Sequence, residues 1–164
     1  MKYAIGTTAL LAIIMVAALY VYAIKIPAEQ KVSVTRTINA PQEAIWKTIT
    51  DWDQQPKWRD DLESVTVVNE NRFIEKPKKG NPIEFEVISS QPFSRLELSL
   101  KSSFTGTYII ELEKIDSSTT KVTEEYALYT ASPVDRLMAR LFFDLESFAH
   151  KYLEQLEAQS RASK

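Results

Sequence analysis

Two charged side chains occupy positions where an alternating strand pattern calls for apolar ones, and they are the residues best placed for chemistry. Arg36 shares strand parity with Val34 and Ile38, and Glu124 shares it with Val122 and Tyr126, because successive strand side chains point to opposite faces. If the first and last strands are antiparallel neighbours, Arg36 and Glu124 meet on the apolar face as an ion pair. Such a pair can simply hold strands together, with little net stability once desolvation is subtracted. It can also be a polar handle, Arg36 receiving a ligand carboxylate, phosphate or quinone oxygen in an apolar pocket.

The remaining residue types exclude more than they offer. With no Cys there is no disulfide, thiolate metal site or Cys nucleophile, and a single histidine, His150, excludes a multi-His metal centre. His150 falls on the polar side of its helix, and Ser89, Ser99 and Ser102 have no histidine partner in the pattern, so no catalytic residue and no cofactor is assigned. The formal net charge is -2, with Lys and Arg interspersed among acids. That leaves no basic stripe of the kind that neutralises phosphates, so nucleic acid is not an expected partner.

The elements that must position these groups are readable from periodicity. Alternation over Val32–Ile38 predicts a strand, and Pro41 marks the start of a helix reaching about Ile49. A helical turn near 54–60 precedes six strands, at 64–70, 72–76, 82–89, 95–102, 105–115 and 120–129, separated by turn residues such as Lys79-Gly80-Asn81 and Asp116-Ser117-Ser118. Even spacing argues an antiparallel meander. Parity places Ile83, Phe85, Val87, Leu96, Leu98, Leu100, Tyr108 and Ile110 on the inner face, sets Tyr108 opposite Tyr126, and leaves Glu84, Glu86, Glu97 and Ser99 outside.

Ser132-Pro133 with Asp135 then supplies a cap, a first-turn proline and a first-turn acid. From Val134 through Leu137, Met138, Leu141, Leu145, Phe148, Tyr152 and Leu156 the apolar residues recur at helical spacing, predicting one long helix across the sheet. Trp46 and Trp58 read as core anchors, Trp52 as the more exposed indole, and Phe143 as outward-facing.

At the other end, Tyr3 to Ile24 carries no charge and is bracketed by Lys2 and Lys25. About 22 helical residues span roughly 33 Å, enough for a bilayer core. We read residues 1–25 as a single-pass transmembrane anchor, 26–31 as a connector and 32–160 as the domain, with the bilayer as a partner and the domain's side of the membrane open. A cleaved signal peptide ending near Val21-Tyr22-Ala23 is the alternative.

The segment with Ile38, Ala40, Pro41, Trp46, Asp51, Pro56 and Trp58 resembles the START-like (SRPBCC) superfamily, in its polyketide cyclase/dehydrase-like branch. Phe73-Ile74-Glu75, Phe104-Thr105-Gly106-Thr107-Tyr108, Thr119 to Thr123, and Pro133 with Arg136 extend the resemblance, in order, over nearly all of 32–158. The glycine-rich run often placed before the last helix is absent. The resemblance implies an α+β helix-grip fold, a curved antiparallel sheet wrapping a long C-terminal helix, and binding of a hydrophobic small molecule or lipid. The expected ligand-binding set is Arg36, Phe85, Val87, Leu96, Leu98, Tyr108, Ile110, Glu124, Tyr126, Leu141 and Leu145. A cyclase/dehydrase-like enzyme and a non-catalytic adaptor for a partner protein remain the alternatives.

Overall fold

Alternating apolar and polar residues build seven strands, and the strand order follows from hairpin turns plus one long return. In the computed structural model, which describes residues 2–162, with side chains from residue 10 onward, α1 (Lys2–Lys25) leads into β1 (Glu29–Ile38). Then come α2 (Gln42–Thr50), a 3-10 turn (Trp52–Lys57), β2 (Leu62–Asn69), β3 (Arg72–Pro77), β4 (Ile83–Gln91), β5 (Arg95–Lys101), β6 (Thr105–Lys114) and β7 (Thr120–Tyr129). The last two helices are α3 (Pro133–Phe142) and α4 (Leu145–Ala162). One antiparallel sheet forms in the order β1-β7-β6-β5-β4-β3-β2, so the first strand closes beside the last. Glu29–Lys31, expected to be connector, pair with Ala127–Tyr129 and belong to β1.

Register confirms the parity argument where no bulge intervenes. Tyr108 stands opposite Tyr126, and Val34, Ile38, Leu96, Leu98, Leu100, Ile110 and Val122 are buried on the concave face. α4 lies against α2 and β1 and buries Leu145, Ala149, Tyr152, Leu153 and Leu156. Gly106 allows the β6–β7 ladder to close, since a Cβ there would collide with the Ala127 carbonyl oxygen.

The expected single C-terminal helix is two helices. Phe143 adopts an extended conformation (φ -135°, ψ 122°). The next residue, Asp144, restarts the helix: its Oδ1 accepts from the backbone N–H of Glu146 and of Ser147, both at 3.1 Å, and Ser147 Oγ donates to Oδ2 at 2.8 Å. These bonds satisfy donors that a helix start leaves open, and an acid is favoured at that end by the helix dipole. The apolar stripe is therefore broken, and none of α3 is buried. At the start of α3 the expected cap is present, Ser132 Oγ accepting from Asp135 N–H at 3.2 Å.

Arg136 ties this region to the beginning of the domain, donating to the carbonyls of Thr130, Ala131 and Ile26. The tryptophans also depart from expectation. Trp52 is the buried one, stacked on Phe73 with centroids 4.3 Å apart, while Trp46 and Trp58 are half-buried at the edge of the core. Phe143 and His150 are exposed. Among the described residues no helix is long and apolar enough to cross a membrane. The expected span begins in a stretch whose side chains lie outside the described residues. From Leu10 to Ile24, α1 exposes most of its large apolar side chains.

Candidate functional site

Between the concave sheet face and the last two helices lies a cavity of about 760 Å³, within the roughly 300–1,000 Å³ usual for small-molecule sites. Its wall is built by strand alternation: Phe73 and Phe85, then Leu96, Leu98 and Leu100, then Tyr108 and Ile110, then Tyr126 and Leu128. Leu145, Phe148 and Tyr152 of α4 close it from above, and Met138 and Phe142 of α3 stand at its edge. The exposed lining residues Lys79, Gly80, Asn81, Ser103 and Phe142 mark its mouth. Aromatic contacts stiffen the wall: Phe73 and Phe85 stack with centroids 4.9 Å apart, and Tyr108 meets Tyr126 at the same distance.

Of the expected site residues, Phe85, Leu96, Leu98, Tyr108, Ile110, Tyr126 and Leu145 line this cavity, and four do not. Val87 precedes a register shift in the β4–β5 ladder and lines a separate hollow with Trp46 and Pro92. Such a bulge bends the strand and re-aims the side chains next to it. Leu141 is 61% exposed on α3, because the helix break turns that face away from the core. Arg36 and Glu124 both sit on the concave side of neighbouring strands, yet the expected pair between them does not form. In the register Val34 faces Glu124 while Arg36 faces Val122, which places the two on a diagonal. Arg36 instead reaches α4, where its Nε donates to Glu157 Oε2 at 2.9 Å and its Nη1 lies 3.6 Å from Glu154.

Glu124 is fully buried behind the cavity wall. Tyr108 Oη donates to its Oε1 at 2.5 Å, and Oε2 has no hydrogen-bond partner. Burial pushes its carboxyl up to about 8, against the lowering effects of Tyr108 and of the Arg59 charge, so it is predominantly protonated at neutral pH. Burial also raises the Tyr108 phenol, and the neighbouring carboxyl adds to the shift.

The principal polar group of the cavity is one that periodicity did not single out. Arg59, in the turn after the 3-10 segment, is 6% exposed and lines the cavity with Glu75, Gln55 and Asp61. Its Nη1 donates to Glu75 Oε1 at 2.6 Å and to Gln55 Oε1 at 2.7 Å. Its Nη2 donates to Glu75 Oε2 at 3.1 Å and to Asp61 Oδ2 at 2.8 Å, and its Nε to Asp61 Oδ1 at 3.3 Å. Burial works against the cation, but Glu75 and Asp61 outweigh it and hold the guanidinium above its ordinary value. The guanidinium carbon also sits 5.3 Å from the Tyr152 ring centroid. Glu75 was detectable, since it shares parity with buried Phe73 as Glu124 does with Tyr126. Arg59 lies in an aperiodic turn and gave no such signal. Among the described residues no cluster of His, Cys, Asp or Glu could hold a metal ion.

The sequence profile of a family described as polyketide cyclase/dehydrase and lipid transport matches residues 29–160. The chain belongs to that family. Solved structures agree on the fold of this family member. A conserved protein from Geobacillus kaustophilus is 14% identical, with a TM-score of 0.70 over 82% of this chain and 97% of its own. A START superfamily protein from Mycobacterium smegmatis is also 14% identical, with a TM-score of 0.64 over 80% and 95%. The Zhui aromatase/cyclase from Streptomyces sp. R1128 is 13% identical, with a TM-score of 0.67 over 81% and 94%. These likenesses show a shared helix-grip fold. Among curated proteins none matches the sequence.

Proposed function

We propose that this family member is a binding protein for a hydrophobic small molecule or lipid, held at a bilayer by its N-terminal helix. The observation that carries the binding reading is the cavity of about 760 Å³, walled by Phe, Leu, Ile and Tyr side chains with one polar cluster. An apolar wall drives entry through the area removed from water, about 25 cal/mol per Å², while a few polar groups fix orientation. The family description, which includes lipid transport, supports the same class of ligand. The tether rests on the uncharged run from Tyr3 to Ile24 and on the apolar side chains that α1 exposes.

Native mass spectrometry of the full chain, purified in mild detergent, tests the binding reading. Wild-type protein should retain an extractable apolar ligand, and Leu98→Trp, which fills the cavity from β5, should lose most of that occupancy while staying folded. Equal occupancy in the two would sink the cavity as the binding site, and conversion of the ligand during incubation would move the reading to catalysis. The tether is tested separately by alkaline carbonate washing of membranes. The full chain should remain in the pellet with its N-terminus at or near Met1, whereas a mature N-terminus at Ile24 would end the anchor reading.

A further inference from the structure

We infer that the cavity selects an amphiphile whose head donates hydrogen bonds and is neutral or cationic, and that it rejects carboxylates and other anions. The inference rests on the binding reading above and concerns the chemistry of the ligand's head. An arginine in an apolar cavity ordinarily points to an anionic ligand, but this one has nothing left to give. A guanidinium carries five N–H donors. All five are committed: Nη1 to Glu75 and Gln55, Nη2 to Glu75 and Asp61, and Nε to Asp61.

What the cluster turns toward a ligand is acceptor capacity. Glu75 and Asp61 bring two carboxylates against one guanidinium, and each ionised oxygen has lone pairs beyond the bond it accepts from Arg59. Gln55 Nε2 gives one of its two N–H groups to the Ile49 carbonyl at 3.2 Å, which leaves one neutral donor against the two carboxylates. A ligand hydroxyl, amide or ammonium can use these acceptors. A carboxylate there would be desolvated beside an excess of like charge, in a site where charge interactions are poorly screened. The other polar groups of the lining do not reverse this preference: Lys151 pairs with Asp60 at 2.7 Å, and Lys78 and Lys79 are exposed at the mouth, where water and salt screen them. The Tyr108 hydroxyl is committed to Glu124, and the phenols of Tyr126 and Tyr152 are neutral groups, held protonated by burial. Neutral hydroxyls suit a neutral head, but they do not replace the hydration of a full anion.

Equal-chain competition isolates the head group. The full chain in mild detergent at pH 7 is mixed with equimolar laurate, dodecanol and dodecylamine, and the complexes are counted by native mass spectrometry. Dodecanol and dodecylamine should each exceed laurate at least tenfold. Laurate equal to or above the other two would overturn the inference while leaving the binding reading intact. Retention of none of the three would defeat the binding reading itself. Asp61→Asn, on a partly exposed acid, removes one negative charge and should raise laurate relative to dodecylamine at least threefold. Glu75→Gln should raise it further, and if that variant fails to fold, Asp61→Asn alone decides. An unchanged laurate ratio in folded Asp61→Asn would show that the cluster does not set the preference.

Discussion

Glu75 and Glu124 are both buried glutamates on the concave face of one sheet, and their environments make them different chemical species. Glu75 is met by the fork of Arg59, so the charged carboxylate has two directed donors and a neighbouring cation. Glu124 is met by one phenol and otherwise by apolar side chains and other rings, with Oε2 unpartnered. Burial raises the Glu75 carboxyl too, and the Asp61 charge adds to it, but the Arg59 cation and its paired hydrogen bonds oppose that rise and favour the ionised form. One site is therefore a stored charge pair at the cavity wall, and the other is a neutral acid behind it. Residue type and burial alone do not say which is which. The partner, delivered here by the turn that leads into β2 beside β3, decides.

The contrast is broken most directly by pH. The folded-state value of Glu124, about 8, lies above the unfolded 4.5, so the native state holds the proton more tightly. The stability this contributes is fully present below about pH 4.5 and is lost as pH rises through 8. A shift of this size corresponds to on the order of 5 kcal/mol at full deprotonation. Chemical denaturation between pH 4.5 and 9 should show the wild type losing much of that amount. Glu124→Gln should lie close to the wild type near pH 4.5, be about 2 kcal/mol more stable at pH 6 and gain further on it by pH 9. A wild type with no alkaline loss would mean that Glu124 is charged in the native state and that the two sites are alike.

The second test removes the charge partner. Arg59→Met leaves Glu75 buried without its cation, which costs about 3–5 kcal/mol for a buried pair. Arg59→Met combined with Glu75→Leu should recover most of that loss, since two apolar groups of similar size require no charge compensation. Urea midpoints at pH 6 measure both variants. If the single variant is as stable as the double, the pair is wetter than its 6% side-chain exposures imply.

How far these sites could be read from sequence depends on whether a local period fixes the geometry. The period of two placed Phe85, Leu98, Tyr108 and Tyr126 on the cavity wall, and the Tyr108–Tyr126 pairing followed from hairpin register. It also put Arg36 and Glu124 on the correct face. Parity fixes a face but not a partner, and Arg36, with a long side chain beside α4, found Glu157 instead. The helical stripe from Val134 to Leu156 concealed a break because Asp144 is ordinary in composition and acts only through its cap bonds. Arg59 comes from a turn, where no period operates and the tertiary contacts with β3 and α4 set the conformation.

The smallest expected effect belongs to the Arg36–Glu157 bridge, which is the exposed counterpart of Arg59–Glu75. Its side chains are 37% and 13% exposed, so water competes for both charges and the pair stabilises by about 0.5–1 kcal/mol. Burial would raise Glu157, but hydrogen bonds and charge from Arg36, helped by Asn39, hold it below its ordinary value. Its contribution is thus present above the unfolded glutamate value, near 4.5, and is lost as pH falls through the lower folded value, opposite in sign to that of Glu124. Arg36→Met should cost about 0.5–1 kcal/mol at pH 6 in low salt, shrinking in high salt as screening grows and shrinking again as acid protonates Glu157, whose folded value is lowered. Denaturant midpoints over that grid separate the two kinds of pair. A loss of several kcal/mol, insensitive to salt, would place Arg36 in the same class as Arg59 and restore it as a buried polar group of the binding site.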